Sequence, residues 1–153
     1  PPPPPPPPPR SFFFIPQPAI PDPLWSRGLG DVYKRQNNVI VTGDWNTAHY
    51  SIDLARPKEN INTSGFMLVE REKLDIYVEE GWVDTFRLFH QEGERYSWWT
   101  YRFGARDRNV GWRIDYFFVN DGMTDLCIDA DIHHNVFGSD HCPVSLTLKK
   151  DSL

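Results

Sequence analysis

Hydrophobic residues follow regular spacings only in the second part of this 153-residue chain. At residues 39–42, the β-branched run Val-Ile-Val-Thr stops at Gly43-Asp44. Such a run predicts a short buried strand that ends in a tight turn. Arg113–Asn120 predicts a second strand, buried on both faces toward its end. Cys142–Leu148 alternates into a last strand, with three aliphatic residues on one side: Val144, Leu146 and Leu148.

A helix is predicted between the first and the second of these strands. Between Glu70 and Glu80, apolar side chains recur at helical spacing among charged ones, and Gly81 follows as a C-cap. This pattern predicts an amphipathic surface helix. Another apolar patch begins at Phe86. Because the predicted strands outnumber the helices and long loops separate them, the sequence indicates an α/β or α+β fold with an extensive sheet.

Residues 1–36 differ in composition from everything that follows. They hold 13 of the 15 prolines, nine of them in the run Pro1–Pro9, and carry a formal charge of +2, whereas the remaining 117 residues carry −7. Because proline fixes φ and donates no backbone hydrogen bond, we expect neither a helix nor a central strand there. We therefore predict a proline-rich leader over residues 1–36, disordered or foreign to the gene, and a folded unit over residues 37–153.

Composition argues against several classes of protein. No apolar run approaches the ~18–20 residues that a membrane span needs. Cys127 and Cys142 are too few for a disulfide framework, which favours reduced thiols in a cytoplasmic protein, most simply a bacterial one. The acidic body argues against binding nucleic acid by net charge alone. It permits a local site in which bound metal offsets carboxylates.

Polar residues lie at the ends of two predicted strands, where ligands usually bind on sheet folds. Asp44 and Asn46 would project from the end of the first strand into one crevice. An aspartate there can act as a base or hold a metal or water, and an asparagine can donate to a phosphate oxygen. The alternative is an ordinary Asx turn. Asp140 and His141 precede the last strand and could bind a cation, form an acid–base pair, or simply form a polar turn.

Asp115 lies inside an otherwise apolar strand. An unpaired charge there would cost on the order of several kcal/mol, so Asp115 needs a partner. His141 is the best candidate by position, because it begins the neighbouring terminal strand. The carboxylate would then fix the tautomer of the imidazole.

Four aromatic residues lie within the segment Tyr96–Tyr101. Three arginines follow them: Arg102, Arg106 and Arg108. This combination is typical of a surface that stacks on nucleic acid while arginines contact phosphates. Core packing is the alternative. We expect one residue of the pair Trp98 and Trp99 in the core and the other exposed.

Taken in order, these motifs resemble the exonuclease III family of apurinic/apyrimidinic endonucleases, from about Asn38 to Leu148. The most specific string is Asn-x-Gly-Trp-Arg-Ile-Asp-Tyr at residues 109–116. Gly-Asp-x-Asn at residues 43–46 and Ser-Asp-His at residues 139–141 are shared with the wider DNase I-like superfamily. The resemblance implies a four-layered α/β sandwich, in which two sheets pack face to face with helices outside.

The resemblance also implies an activity and its partners. Members of this family cleave the DNA backbone 5′ to abasic sites with Mg²⁺ or Mn²⁺, and many degrade duplex DNA from its 3′ ends. We therefore expect a magnesium-dependent DNA-repair nuclease whose partner is double-stranded DNA, with no membrane association. We expect the complete protein to be a monomer.

Individual residues take roles from the same resemblance. Asp44 would orient or deprotonate the attacking water, or protonate the leaving group, and Asn46 would hydrogen-bond the scissile phosphate. His141, oriented by Asp115, would stabilise the charge that grows on the phosphate oxygens. Asp140 would be the main metal ligand, with Asp44 and Asn46 as further metal candidates. The matching substrate-contact positions are Asn109, Trp98, Trp112, Ile114, Arg102 and Arg106.

The resemblance covers only about half of the family's domain. The Asn, Glu and Tyr that the family places before the first strand have no clear counterpart in residues 1–36. We therefore predict the C-terminal half of a sandwich, inactive and poorly folded as written, because its apolar face would be open to water. Two alternatives stay open. One is another phosphodiesterase or phosphatase of the superfamily, and the other is a non-catalytic fragment with a proline-rich interaction tail.

Overall fold

The computed structural model describes residues 38–150, and the predicted leader at residues 1–36 lies outside the described residues. Within them, the strands are β1 Ile40–Asp44, β2 Trp82–Asp84, β3 Asp115–Asn120, β4 Cys127–Ile132 and β5 Val144–Leu148. The α-helices are α1 Pro57–Asn60, α2 Leu68–Glu79 and α3 Thr85–Phe89. Turns of 3₁₀-helix lie at Ser51–Asp53, Arg102–Gly104 and Asp121–Leu126. In this part of the chain no helix has both the length and the apolar character that a membrane crossing requires.

The strands form two antiparallel sheets. In the first sheet, β3 lies between β1 and β2, and Asp44 pairs with Asp115 at the end of β1. In the second sheet, β4 pairs with β5. Helix α3 contacts both β3 and β4, so that it joins the two sheets. This mixture of sheets and helices confirms the predicted α/β class.

Strand β1 differs from the sequence prediction in both extent and burial. It continues through Gly43 to Asp44, and most of its side chains are exposed, including Ile40 at 38%. The predicted burial is wrong for the described residues, because β1 is an edge strand that pairs with β3 on one side. Two valines of the run, Val39 and Val41, pack against a core cluster that contains Phe118.

Helix α2 confirms the predicted helix and begins two residues earlier. The Glu70 carboxylate accepts hydrogen bonds from the backbone N–H groups of Gly65 and Met67, at 2.7 and 3.0 Å, and so caps the first turn. Leu74 is buried in the core beneath the helix. Gly81 follows the helix with a φ of +87°, a left-handed conformation that glycine adopts without strain.

Strands β3 and β5 confirm the other two predicted strands, although each begins two residues later than predicted. Phe118 and Val119 are fully buried toward the end of β3. Three aliphatic side chains of β5 pack against two core clusters: Val144, Leu146 and Leu148. The residues just before these strands stay outside the regular sheet and supply much of the candidate site.

A cluster of buried charges lies beneath the start of β3. Arg113 is fully buried and donates from Nε to Asp53 Oδ1 at 2.7 Å and from Nη2 to Asp84 Oδ2 at 2.6 Å. Arg87 also donates to Asp53. Burial by itself would raise the pKa of Asp53, but the charges and hydrogen bonds of Arg113 and Arg87 outweigh burial and hold this pKa below its ordinary value. The cluster therefore ties β2 and α3 to the segment that leads into the site.

Candidate active site

Six of the residues singled out by sequence meet around one open pocket of about 640 Å³. They are Asn46, Trp98, Trp112, Ile114, Asp140 and His141. Asn46 comes from the turn after β1, Trp112 and Ile114 from the segment before β3, and Asp140 and His141 from the segment before β5. The pocket therefore forms where residues from both sheets meet.

The structure confirms the predicted contact between Asp115 and His141. Nδ1 of His141 lies 2.9 Å from Oδ2 of Asp115. The buried hydroxyl of Ser97 accepts hydrogen bonds from the backbone N–H groups of Ile114 and Asp115, at 3.1 and 3.2 Å. The Ser97 carbonyl accepts from the backbone N–H of Cys142, directly after His141. One residue thus fixes the backbone beside both members of the pair.

Asp44 and Asn46 form a turn at the end of β1. Oδ1 of Asp44 accepts the backbone N–H of Asn46 at 2.7 Å, so the Asx turn considered as an alternative is present. Asn46 has a φ of +51°, a left-handed conformation that asparagine tolerates better than most residues. The turn brings Asn46 into the pocket wall, whereas Asp44 is exposed beside the pocket and opposite Asp115. The turn and a functional role are therefore compatible.

Trp98 and Trp99 differ in burial as the sequence analysis predicts, although Trp98 is half-buried and not exposed. Trp99 is buried in the core, and Trp98 is half-buried in the pocket wall, edge-on to Trp112. Nε1 of Trp98 donates to Oδ2 of Asp140 at 3.1 Å. This hydrogen bond is the main cause that lowers the pKa of Asp140. Trp98 therefore both shapes the pocket and holds a carboxylate at its edge.

Three predicted substrate contacts lie outside the pocket. Oδ1 of Asn109 accepts from Nε1 of Trp99 at 3.2 Å, and its Nδ2 donates to the carbonyl of Glu94 at 2.9 Å. Arg106 donates to backbone carbonyls of the protein. Arg102 is exposed to solvent. The side chains of Asn109 and Arg106 thus have protein partners, and their role toward substrate stays a prediction.

Sequence reasoning missed the wall of the pocket that faces the tryptophans. This wall is formed by Ala55, Arg56, Glu59, Asn60, Thr63, Ser64 and Gly65. No residue spacing in this segment indicates chemistry, so the sequence analysis singled out none of these residues. Arg56 lies before α1 with a φ of +54°, and its guanidinium is 3.7 Å from the carboxylate of Glu59. The wall adds one exposed cation, one carboxylate, one side-chain amide and two hydroxyl groups to the site.

The residues predicted to bind metal supply hard oxygen donors. Asp140 lines the pocket, with Asn46 also in the wall and Asp44 beside it. Within residues 38–150, no three His, Cys, Asp or Glu side chains gather into a cluster. Such a sparse set fits Mg²⁺, which commonly takes one or two protein carboxylates and fills its other positions with water and substrate phosphate.

Comparison with known proteins shows the family of this chain. The model of the endonuclease/exonuclease/phosphatase family matches residues 2–141. Over 111 residues the chain is 52% identical to an exodeoxyribonuclease of Bacillus subtilis (strain 168). The matched segment covers 72% of this chain and 44% of that protein. Over 113 residues it is 42% identical to a DNA-(apurinic or apyrimidinic site) endonuclease of Dictyostelium discoideum. This match covers 72% of this chain and 31% of that protein.

Two solved structures share the fold. An AP endonuclease from Leishmania major is 37% identical with a TM-score of 0.67, over 70% of this chain and 34% of that chain. A 3′ phosphatase from Neisseria, bound to a product DNA hairpin, is 25% identical with a TM-score of 0.73. This match covers 81% of this chain and 49% of that chain. The chain thus spans less than half the length of the curated relatives it matches. It belongs to the endonuclease/exonuclease/phosphatase family, and it is similar to exonuclease III-type members of that family.

Proposed function

We propose that residues 38–150 carry part of the active site of a DNA-repair nuclease. The reaction is hydrolysis of the phosphodiester bond 5′ to an abasic site, together with removal of nucleotides from the 3′ ends of duplex DNA. The observation that carries this proposal is the pairing of Asp115 with His141 at 2.9 Å, beside a pocket that also contains Asn46 and Asp140. The relatives named above support DNA as the substrate.

His141 stabilises the negative charge of the transition state. Asp115 occupies its Nδ1, so that Nε2 is the ring nitrogen that can donate to a phosphate oxygen in the pocket. Charge on the oxygens of the phosphate grows as water attacks, and a donor already held in place lowers that barrier. Removal of one such donor costs about 100- to 1000-fold in rate in comparable sites.

Asn46 and Asp44 act on the phosphate and on the attacking water. The amide of Asn46 donates to the scissile phosphate from the pocket wall. One carboxylate oxygen of Asp44 is held by the backbone N–H of Asn46, which leaves the other to orient or deprotonate the water. The same carboxyl group can return a proton to the leaving oxygen.

Asp140 is the main residue that holds the divalent cation, with Asp44 and Asn46 as further candidates. The hydrogen bond from Trp98 orients the Asp140 carboxylate, as outer-shell partners commonly do at metal sites. When bound, Mg²⁺ or Mn²⁺ supplies a positive charge that stabilises the phosphate oxygens.

The apolar walls provide selectivity for an abasic nucleotide. Trp98, Trp112 and Ile114 present apolar surface to the pocket, and Arg56 on the facing wall can contact a neighbouring phosphate. A sugar without its base costs less to rotate out of the duplex than an intact nucleotide, because less stacking and pairing is lost. Outside the pocket, the exposed Arg102 is the proposed phosphate contact.

An incision assay tests this proposal. The full chain is compared with a chimera in which residues 38–150 follow the amino-terminal part of the Bacillus subtilis exodeoxyribonuclease. Each is incubated with a duplex that carries one tetrahydrofuran abasic analogue, with Mg²⁺ or with EDTA. We expect the chimera to incise 5′ to the analogue only with Mg²⁺. His141→Ala and Asp44→Asn should each lower the rate by about 100-fold or more.

The control variant is Lys73→Met, which removes an exposed charge on α2 and should leave incision unchanged. The full-chain sample tests the separate prediction that the chain as written is inactive. Undiminished incision by the His141→Ala chimera, or incision in EDTA, would contradict the proposed site. Hydrolysis of a phosphoinositide without incision of DNA would favour another phosphodiesterase of the superfamily.

A further inference from the structure

One guanidinium donates hydrogen bonds to several backbone carbonyls of the loop that leads into the site. This loop, residues 133–140, follows β4 and ends at Asp140. Nη1 of Arg106 donates to the carbonyl of Ser139 at 2.9 Å, and Nη2 donates to the carbonyls of His134 and Val136 at 2.8 and 2.6 Å. Three loop carbonyls, spread over six residues, therefore converge on one side chain.

Two aromatic rings enclose the same guanidinium. Its carbon lies 4.6 Å from the ring centroid of Trp99 and 4.4 Å from that of Phe137. Trp99 is a buried core residue, whereas Phe137 belongs to the 133–140 loop and is 72% exposed. Arginine combines a planar face for stacking with several N–H donors, and lysine does not. Arg106 thus connects the loop to the core by stacking as well as by hydrogen bonds.

The 133–140 loop continues directly into the site. Ser139, whose carbonyl accepts from Arg106, also donates from Oγ to Asp140 at 3.3 Å and accepts the backbone N–H of His141 at 3.2 Å. The carbonyl of Asp140 accepts the backbone N–H of Trp99 at 2.9 Å. A displacement of Ser139 would therefore move both Asp140 and His141.

These contacts leave Arg106 poorly suited to bind DNA. Both of its terminal nitrogens already donate to the protein, and its Nε is buried. Arg102, four residues earlier, is exposed and carries the same charge. We propose that Arg106 is a positioning residue, which holds the 133–140 loop so that Asp140 and His141 stand correctly toward the phosphate. The expected effect on catalysis rests on the proposed function, whereas the expected effect on the 133–140 loop does not.

The first test measures hydrogen exchange of backbone amides in the full chain and in the chimera. Arg106→Met and Arg106→Lys should both accelerate exchange at His134 and Val136, whose N–H groups donate to the carbonyls of Ile132 and His133, by about tenfold or more. Lysine should fail to restore protection, because an ammonium cannot reproduce the planar fork and the stacking. Arg102→Met should leave these amides unchanged, and exchange in α2 should be the same in every variant.

The second test separates positioning from DNA binding in the chimera. For both Arg106 variants we expect kcat to fall about tenfold or more, since small displacements of reacting groups are costly. Their KM and the salt dependence of their DNA affinity should not change. Arg102→Met should show the opposite signature, with weaker binding and a salt slope reduced by about 1.

Two results would overturn the inference. One is recovery of loop protection and kcat by Arg106→Lys. The other is an Arg106→Met variant with unchanged loop exchange and a salt slope lower by about 1. The exchange measurement needs no catalysis. If the parent chimera itself fails to incise DNA, the proposed function fails, while loop exchange still decides whether Arg106 holds the loop.

Discussion

Three polar side chains of the proposed site are each held by a second residue. Asp115 holds His141, Trp98 holds Asp140, and the backbone of Asn46 holds Asp44. Groups that are fixed before the substrate arrives need no reorganisation during the reaction, which is how preorganised donors lower a barrier. At the scale of single residues, the site therefore depends on these partners as much as on the groups that touch substrate.

The sequence could predict one of the charge contacts and not the others. Asp115 draws attention because it interrupts an apolar strand, and His141 is the best candidate partner by position because it precedes the last strand. Arg113 gave no such signal, because its partners Asp53 and Asp84 lie 60 and 29 residues away. Nothing in the local pattern distinguishes a fully buried arginine from an exposed one.

Acid should destabilise the fold through Asp53. Its folded-state pKa lies below the ordinary 3.8, so its stabilising contribution is fully present above about pH 4 and is lost as the pH falls through the folded value. Asp53→Asn should remove this part of the acid dependence and cost about 3 kcal/mol or more at pH 7, because Arg113 loses a charged partner. Urea unfolding of the chimera between pH 2.5 and 7 measures both effects. Asp129→Asn, an exposed carboxylate on β4, is the control, and equal acid slopes for Asp53→Asn and the parent would contradict the prediction.

At the scale of elements, one short segment connects the loops that build the pocket. Trp98 forms antiparallel bridges with both Trp112 and His141, and Trp112 forms another with Leu54. These isolated bridges lie between the two regular sheets and bring together segments that precede β3 and β5. The position of the pocket therefore follows from bridge pairing between loops, and no single strand determines it.

Gly111 is the point at which this pairing is most sensitive to side-chain size. A Cβ at Gly111 would lie 2.4 Å from Nε1 of Trp99 and 2.8 Å from the carbonyl oxygen of Trp98. We therefore expect Gly111→Ala to displace both tryptophans, to cost about 1–3 kcal/mol of stability, and to slow incision. Urea unfolding and incision by the chimera measure the two effects. Gly122→Ala, where a Cβ would meet Asn120 at an ordinary 3.5 Å, is the control, and equal losses in both variants would contradict the account.

Strands with regular patterns were predicted, and those without them were not. β3 and β5 have runs of five or six residues with clear apolar positions, and α2 has helical spacing over three turns. β2 has only three residues, too few for an alternation to be visible. β4 contains a register shift between Cys127 and Asp129, which breaks the period of two that predicts a strand.

At the scale of the whole molecule, the site lies where the two sheets are joined. Helix α3 contacts both sheets, and the buried Arg113 cluster fixes α3 and β2 beneath the pocket. The carboxylates of the proposed site contribute to the charge of −7 beyond residue 36, as a site that binds a divalent cation would. The pocket wall at residues 55–65 could not be predicted, because only the folded chain brings it opposite the tryptophans.

A double-mutant cycle on Asp115 and His141 tests the central claim most directly. Incision of the abasic duplex is measured for the chimera, for Asp115→Asn, for His141→Ala and for the double variant, at saturating Mg²⁺. If the two residues act as one unit, the double variant should be about as slow as His141→Ala alone, because Asp115 acts through the imidazole. If the fold losses of the single variants instead multiply in the double variant, the two residues act independently, and the proposed active site is wrong.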